Sequence, residues 1–205
     1  MPENKKNNGP YNEIDKLISL LAKLPGFGKR SARRAVLHMI DKRETLMEPI
    51  SNMLIEVNKK VNQCNLCGNI TTMNNCLICL DEKRDKTKLC VVSNVSDLWA
   101  VERANIFNGR FYVLGGLLSA LDGIGPEALK IPFLVERVKS ENINEVILAL
   151  SATVNGQTTA HYIADQITVS GVEVTSLAHG VPIGGDLDYL DEGTIEVALK
   201  GRKIF

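Results

Sequence analysis

Four cysteines with regular spacing are the residues of this chain best suited to a defined chemistry. Two Cys-x-x-Cys pairs, Cys64 with Cys67 and Cys76 with Cys79, are separated by eight residues. Thiolates paired in this way can occupy the corners of a tetrahedron, which is the geometry of closed, structural Zn²⁺ sites. We therefore predict one structural zinc ion per chain, with an iron–sulfur cluster as the alternative. The fifth cysteine, Cys90, lies in an apolar stretch and is expected to be buried.

A glycine-containing turn followed by basic residues forms a second candidate site. In "LPGFGKRSARR" (24–34), Gly26 and Gly28 separate two helical patterns and let the backbone approach a ligand closely. The amides that open the second helix carry the positive end of its dipole, which favours a phosphate. Five cations stand at or beside the turn: Lys23, Lys29, Arg30, Arg33 and Arg34. These features predict sequence-independent binding to nucleic-acid phosphates; a solvated basic hairpin is the alternative.

A third segment has the position of a catalytic site without its side chains. The apolar run 146–150 predicts a buried strand, 151–157 a loop, and the residues from Thr159 onward a helix. Ligands of α/β sheets usually bind at such a loop, beyond the carboxyl end of a strand. Its central polar residues, Asn155 and Gln157, are neutral, so they bring no negative charge to offset the dehydration of a cation.

The secondary structure predicted to position these residues changes along the chain, from helices alone to strands that alternate with helices. Apolar residues at helical spacing predict helices over 14–24, 29–40 and 44–62. The third helix is expected to turn four residues inward: Leu46, Ile50, Leu54 and Val57. Residues 81–88 have the composition of a charged linker. Beyond it, we predict strands at 89–93, 110–116, 145–151 and 172–178, alternating with helices at 95–104, 134–142 and 158–168. This alternation indicates a parallel α/β layer.

Charge and composition restrict the kinds of partner that the protein can bind. The net charge is zero, yet residues 1–88 carry 16 Lys and Arg against 10 Asp and Glu, while residues 89–205 carry 8 against 14. A basic front half is typical of a polyanion partner. The aromatic share of 5% argues against base stacking as the main binding mode. With no apolar run of membrane-spanning length and no signal-peptide pattern, we expect a cytoplasmic protein without a membrane partner.

In this order, the motifs resemble those of the RecR family of bacterial recombination mediators. The resemblance covers nearly the whole chain and rests on "LPGFGKRSARRAVLHMI", "CNLCGN…CLIC", "GRFYVLGGLLSALDGIGPE", "TVNGQTTAHYIA" and "LAHGVPIGGDLDYLDEGT". It implies an α+β multi-domain chain. The expected parts are a disordered tail (1–12), a helix-hairpin-helix domain (13–63), a small four-cysteine zinc finger (64–80), an α/β Toprim domain with a parallel sheet (88–176) and a C-terminal Walker-B-like arm (177–205).

The same resemblance implies a function in DNA repair. RecR proteins form tetrameric rings that clamp DNA and, with RecO and in some pathways RecF, help to load RecA onto gapped single-stranded DNA. By this resemblance Gly26 and Gly28 form the hairpin, and four cations neutralise phosphates: Lys29, Arg30, Arg33 and Arg34. We expect the acidic C-terminal segment to pack against a neighbouring subunit rather than to bind a cation.

Catalytic Toprim enzymes place a Glu after the first strand and an Asp-x-Asp after a later one, and these acids hold Mg²⁺. In this sequence the corresponding positions hold Ser93, Asn155 and Gln157. We therefore predict that the protein is not an enzyme and that Asn155 and Gln157 form a docking surface for RecO, with a drifted loop as the alternative. The competing hypothesis is a metal-dependent Toprim nuclease or primase-like enzyme with substitute ligands drawn from Asp97, Asp122 and Asp186.

Overall fold

A computed structural model of the chain describes residues 12–168, 171–178 and 180–202. The predicted disordered tail, residues 1–12, lies outside the described residues except for Asn12, which begins the first helix. The chain divides into two compact units between Lys60 and Val61. In the described part of the chain, no helix combines the length and apolarity needed to span a membrane.

The N-terminal unit is a set of helices joined by short turns. Its elements are α1 (Asn12–Leu21), α2 (Lys29–Asp41), a π-helical segment (Arg43–Met47) and α3 (Glu48–Lys60). Helix α1 packs against α2, and the side chains of Ala32 and Val36 on α2 are fully buried. These two residues therefore form the buried side of α2.

Helix α3 differs from its prediction. The expected helix over 44–62 is divided into the π-helical segment and α3, which begins at Glu48. The expectation that Ile50, Leu54 and Val57 face inward is wrong, because these side chains are 39%, 65% and 44% exposed. The main packing partner of α3 within its unit is the π-helical segment just before it, so most of the apolar face of the helix stays uncovered.

The C-terminal unit contains a small antiparallel sheet and a larger parallel one. The small sheet pairs β1 (Asn62–Gln63) with β2 (Ile70–Thr71) and is followed by α4 (Leu77–Leu80). The elements of the α/β layer are β3 (Asp85–Val92), α5 (Val95–Ala104), β4 (Gly109–Val113), α6 (Ile131–Ser140), β5 (Glu145–Ala149), α7 (Val154–Thr168) and β6 (Glu173–Ser176). A 3₁₀ turn (Leu187–Tyr189) and α8 (Glu192–Lys200) follow.

The larger sheet has the strand order β4-β3-β5-β6, with every pair parallel. Its central strand, β3, buries side chains on both faces: Leu89 and Val91 belong to one apolar cluster, Cys90 and Val92 to another. Burial on both faces explains the continuous apolar run in the sequence. The parallel pairing of all four strands confirms the predicted α/β layer. Cys90 is buried as expected, and this burial raises the pKa of its thiol to about 12.

Strand β3 begins earlier than predicted. It starts at Asp85, inside the stretch 81–88 that was expected to be a charged linker. The Asp85 backbone N–H donates to the Asn108 carbonyl (2.8 Å), and Asp85 is in register with Gly109. Backbone pairing with β4 thus overrides the polar composition of the segment, because strand formation depends on available backbone partners as well as on side chains.

Candidate metal centre and nucleic-acid interface

The structure brings the four predicted cysteines together. The Sγ atoms of Cys64, Cys67, Cys76 and Cys79 all lie within 4.8 Å of one another, and those of Cys67 and Cys76 are 3.6 Å apart. Four thiolates bound to one zinc ion at its usual bond length would lie about 3.8 Å apart. Across the described residues, this is the one group of three or more potential metal-ligating side chains. Its donor set and spacing fit a tetrahedral metal.

Backbone geometry prepares the cluster for a cation. Gly68 closes the first Cys-x-x-Cys turn at φ +77°, a conformation that favours glycine. The Asn69 N–H donates to Cys67 Sγ (3.4 Å) and the Cys76 N–H donates to Cys64 Sγ (3.3 Å). Amides directed at sulfur stabilise the thiolate form, which is the form that binds metal.

The pKa values of the cluster differ between its members. Burial raises the pKa of the Cys64 thiol, but hydrogen bonds from the backbone N–H groups of Cys76, Cys67 and Leu66 outweigh that effect and lower this pKa to about 7. The pKa of Cys67 is raised, first by its side-chain hydrogen bond with Cys79 and then by burial. Thiols this close cannot all ionise unless a cation offsets their repulsion. The site therefore has the chemistry of a metal centre.

Residues of the α/β layer hold the cysteine cluster, and sequence reasoning missed them. The Val113 N–H on β4 donates to the Cys67 carbonyl (2.8 Å), and Arg137 Nη1 on α6 donates to the Leu66 carbonyl (2.8 Å). Trp99 Nε1 donates to Asn69 Oδ1 (3.1 Å). One signal was available for Arg137, because it stands in the stripe of buried residues on α6, with Ile131, Leu134 and Val138. A charged residue in an apolar helical stripe needs a polar partner.

The glycine turn leaves the start of α2 open. Gly26 has φ +78°, whereas Gly28 is the N-cap of α2 in extended conformation and provides no side-chain cap. Open space surrounds the Cβ position of both glycines. The Ala32 N–H is the first to donate within the helix, to the Gly28 carbonyl (2.9 Å). The amides of residues 29–31 therefore have no acceptor within the helix and are free to bind an anion.

The predicted DNA-contacting cations are all exposed around this turn: Lys23, Lys29, Arg30, Arg33 and Arg34. Helix α2 has no acidic residue in its first turn. Among the described residues of this unit, the ion pairs join Arg43 to Glu48 and Lys60 to Glu56, so neither involves the hairpin cations. Their positive charge adds to that of the open helix end.

The Toprim-like edge of the sheet lies where β3 and β5 end side by side, with Val92 in register with Ala149. Ser93 follows β3, is buried, and donates through Oγ to Asp97 Oδ2 (2.5 Å). Asp97 lies in the first turn of α5, so its carboxylate belongs to a local contact at the start of that helix. The position expected for a catalytic Glu thus holds a hydroxyl engaged in a local hydrogen bond.

The prediction of a loop over 151–157 is wrong in its second half, because α7 begins at Val154. Thr153 caps the helix: its Oγ1 accepts from the Gly156 N–H (3.2 Å). A Cβ at Gly156 would overlap the Ser151 carbonyl oxygen, so the close approach of the loop to the helix requires glycine. Asn155 and Gln157 flank this glycine in the first turn and are exposed.

The acids proposed as substitute ligands do not form a cluster among the residues that the structure describes. Asp122 Oδ2 accepts from Ser119 Oγ (2.6 Å) in the segment between β4 and α6, and Asp186 is exposed in the C-terminal segment. Nearby, Asp191 caps α8 by accepting from the Thr194 N–H (3.0 Å) and Oγ1 (2.6 Å), and these hydrogen bonds lower its pKa. Asp122 and Asp191 thus serve local structure.

Comparison with known proteins agrees with this arrangement. Family models match at residues 14–57 (RecR, helix-hairpin-helix), 87–178 (Toprim domain) and 180–203 (RecR, C-terminal). The recombination protein RecR of Cereibacter sphaeroides is 61% identical over 193 residues, which cover 94% of this chain and 97% of that protein.

Two further relatives give the same result. The recombination protein RecR of Brucella melitensis is 59% identical over 198 residues, covering 97% of this chain and 98% of its own. The recombination protein RecR of Ruegeria pomeroyi is 57% identical over 195 residues, which cover 95% of this chain and 98% of that protein. The predicted α+β organisation, with a helix-hairpin-helix, a four-cysteine cluster and a parallel Toprim sheet, is confirmed. The chain belongs to the RecR family of recombination proteins.

Proposed function

We propose that this protein is a DNA-binding clamp subunit that acts in the cytoplasm with RecO, and with RecF where a pathway uses it, to help load RecA on gapped single-stranded DNA. Membership of the RecR family supports a role in recombinational repair. The observation that carries the DNA-binding part is the open start of α2, with five exposed cations around it and no acidic residue in its first turn. Such a site binds phosphates without reading base sequence.

A RecA-loading assay tests this proposal. Gapped DNA coated with single-strand-binding protein is incubated with RecO, RecA and this protein, and RecA filament formation is measured. The native protein should accelerate loading, whereas the double variant Arg30→Glu, Arg34→Glu should not. The matched control, Lys42→Glu with Arg43→Glu, makes the same charge change at the other end of α2 and should retain loading. Equal loading by both double variants would remove the hairpin from the mechanism.

The clamp is a homo-oligomer in this proposal, with a tetrameric ring as its form. Two sets of exposed apolar side chains support assembly: Met53 (62%) and Leu54 (65%) on α3, and Ile183 and Tyr189 in the C-terminal segment. Large apolar side chains that stay exposed can pack against another subunit. A ring whose basic hairpins face its hole would let a chain of zero net charge bind DNA. The mass of the assembly in solution tests the tetramer.

The four-cysteine cluster holds one structural zinc ion in this proposal. Four cysteine ligands leave no open coordination position, so the ion would stabilise the fold and take no part in a reaction. Metal analysis of freshly purified, reduced protein should give about one zinc per chain. A sample with neither zinc nor iron would contradict the metal site, and iron with visible absorbance would favour a cluster instead.

The Toprim-like edge acts in protein docking rather than catalysis in this proposal. Neutral side chains at Asn155 and Gln157, and the engagement of Ser93 with Asp97, support it. Exposed amides can donate and accept hydrogen bonds with RecO. Incubation with nicked and gapped DNA plus Mg²⁺ or Mn²⁺ should give no turnover. Turnover that disappears in Asp122→Ala or Asp186→Ala would favour the nuclease or primase-like alternative.

A further inference from the structure

Strand β4 lies at an edge of the parallel sheet, outside β3. The edge of a sheet presents unpaired N–H and C=O groups that can pair with a strand of another molecule. The Leu114 N–H, directly after β4, donates to the Val92 carbonyl on β3 (3.0 Å). Because successive residues of a strand point their backbone groups to alternate sides, Gly109, Phe111 and Val113 direct theirs away from β3.

Each of these outward residues has a hydrogen-bond partner from outside the sheet. The Val113 N–H donates to the Cys67 carbonyl (2.8 Å), inside the first cysteine knuckle. The Phe111 carbonyl accepts from Arg137 Nη1 (3.3 Å) and the Gly109 carbonyl from Arg84 Nη1 (3.0 Å). The cysteine module (residues 64–79), Arg137 and Arg84 therefore each bind one outward backbone group of this edge.

Arg137 joins the strand and the knuckle in one contact. Its Nη1 donates both to the Phe111 carbonyl and to the Leu66 carbonyl (2.8 Å). Its Nε donates to Glu141 Oε1 (3.0 Å), and the side chain is 5% exposed. A buried guanidinium destabilises a fold unless its charge and donors are satisfied. All the partners of Arg137 must thus stay in place, and one of them is the turn between two of the clustered cysteines.

We propose that the cysteine module is a metal-dependent cover for the open edge of β4, and that Arg137 is the positioning residue that holds this cover on the strand. Loss of the metal releases the knuckle carbonyls from Val113 and Arg137. This inference rests on the proposed metal site and goes beyond it by assigning the site a target within the sheet.

Hydrogen–deuterium exchange of the full-length protein, read by mass spectrometry, tests the cover. Zinc-loaded protein is compared with protein whose zinc has been removed by a chelator, with metal content measured in both. Peptides containing Val113 should lose protection on zinc removal, whereas peptides from β5 should keep theirs. Unchanged exchange at Val113 after verified zinc removal would overturn the proposal.

Arg137→Gln tests the positioning role, with Arg110→Gln as the matched control. Arg110 contacts the same carboxylate, Glu141 (3.3 Å), from β4. In Arg137→Gln, zinc transfer to a chelator should be about tenfold faster, as for other residues that orient metal ligands, and Val113 should exchange faster. Equal zinc-transfer rates in the two variants would overturn the role of Arg137.

Failure of the inference and failure of the metal site give different results. Protein that contains no metal as purified contradicts the zinc proposal, and the Arg137→Gln variant then still reports on the cover through exchange at Val113. If Arg137→Gln does not fold, the chelation experiment on the native chain decides the question alone.

Discussion

The two units of this protein differ in how far their apolar and charged side chains are buried or paired within the same unit. In the C-terminal unit, large apolar residues such as Phe111, Leu89 and Ile163 are fully buried, and the buried Arg137 has partners within the same unit. In the N-terminal unit, α3 is exposed along its whole length and the hairpin cations have no acidic partner among its described ion pairs. The buried core and the buried charge of the C-terminal unit are satisfied within that unit, whereas α3 and the hairpin cations of the N-terminal unit remain exposed.

Two packed glycines of the C-terminal unit differ from the two glycines of the hairpin turn. Gly109 and Gly156 are enforced by packing, since a Cβ would overlap the Phe107 ring in one case and the Ser151 carbonyl in the other. The Cβ positions of Gly26 and Gly28 meet nothing within 4 Å. Packing therefore excludes a side chain at Gly109 and Gly156, whereas at Gly26 it is the positive φ that favours glycine.

The largest effect is expected from Cys76→Ser. Binding of a structural metal adds to the free energy of folding, so this variant should lose its metal, and a loss of about 4 kcal/mol should lower its melting temperature by about 10 °C. Cys90→Ala is the control, since it removes another buried cysteine that lies outside the cluster. Metal analysis and calorimetry measure both. A Cys76→Ser variant that kept its zinc would contradict the proposal that the four cysteines together hold a structural zinc ion.

Gly156→Ala should destabilise the C-terminal unit by about 3 kcal/mol, because the added methyl group overlaps backbone that cannot move freely. Gly28→Ala should change stability by less than about 1 kcal/mol, since its methyl group enters open space. Denaturant unfolding of the two variants measures the difference. Similar losses of stability in both would contradict the contrast between packed and open glycines.

Arg30→Glu with Arg34→Glu should weaken DNA binding by about 2 kcal/mol, roughly 30-fold, because two phosphate contacts become repulsive. The melting temperature and the mass of the assembly should not change, since both side chains are exposed. Fluorescence anisotropy with single-stranded and gapped DNA measures the affinity. If the Lys42→Glu, Arg43→Glu control lost as much, general charge rather than the hairpin would explain binding.

The smallest effect is expected from Asn155→Ala with Gln157→Ala. Loss of hydrogen bonds from these exposed amides should weaken RecO binding by about 1 kcal/mol. DNA binding by the isolated protein and its thermal stability should be retained. Calorimetric titration with RecO measures the change. Native affinity for RecO in this variant would leave the first turn of α7 without a docking role.

The sequence predicted the features that depend on local pattern. The cysteine spacing predicted the cluster, and the apolar runs predicted the buried strands, because spacing and periodicity are preserved directly in structure. The outward face of α3 was not predicted, since Ile50, Leu54 and Val57 have the helical spacing of a core-facing helix. Periodicity shows that an apolar face exists but not whether the same chain covers it.

Features that depend on distant residues were also missed. Arg137 is 71 residues from Leu66 in sequence, and only the folded sheet brings the two together.

The start of α7 was placed too late because Asn155 and Gly156 are poor helix formers. The hydrogen bond from the Gly156 N–H to Thr153 Oγ1 caps the helix there, and a capping side chain offsets poor helix propensity in the first turn.

The salt dependence of DNA binding tests the central claim most directly, that the basic hairpin of the N-terminal unit binds phosphates. The affinity of the native protein for duplex DNA is measured across salt concentrations beside Arg30→Gln with Arg34→Gln, which removes charge without reversing it. The slope of log affinity against log salt should decrease by about 1.8 for each hairpin that contacts DNA. An unchanged slope in this correctly assembled variant would contradict the claim.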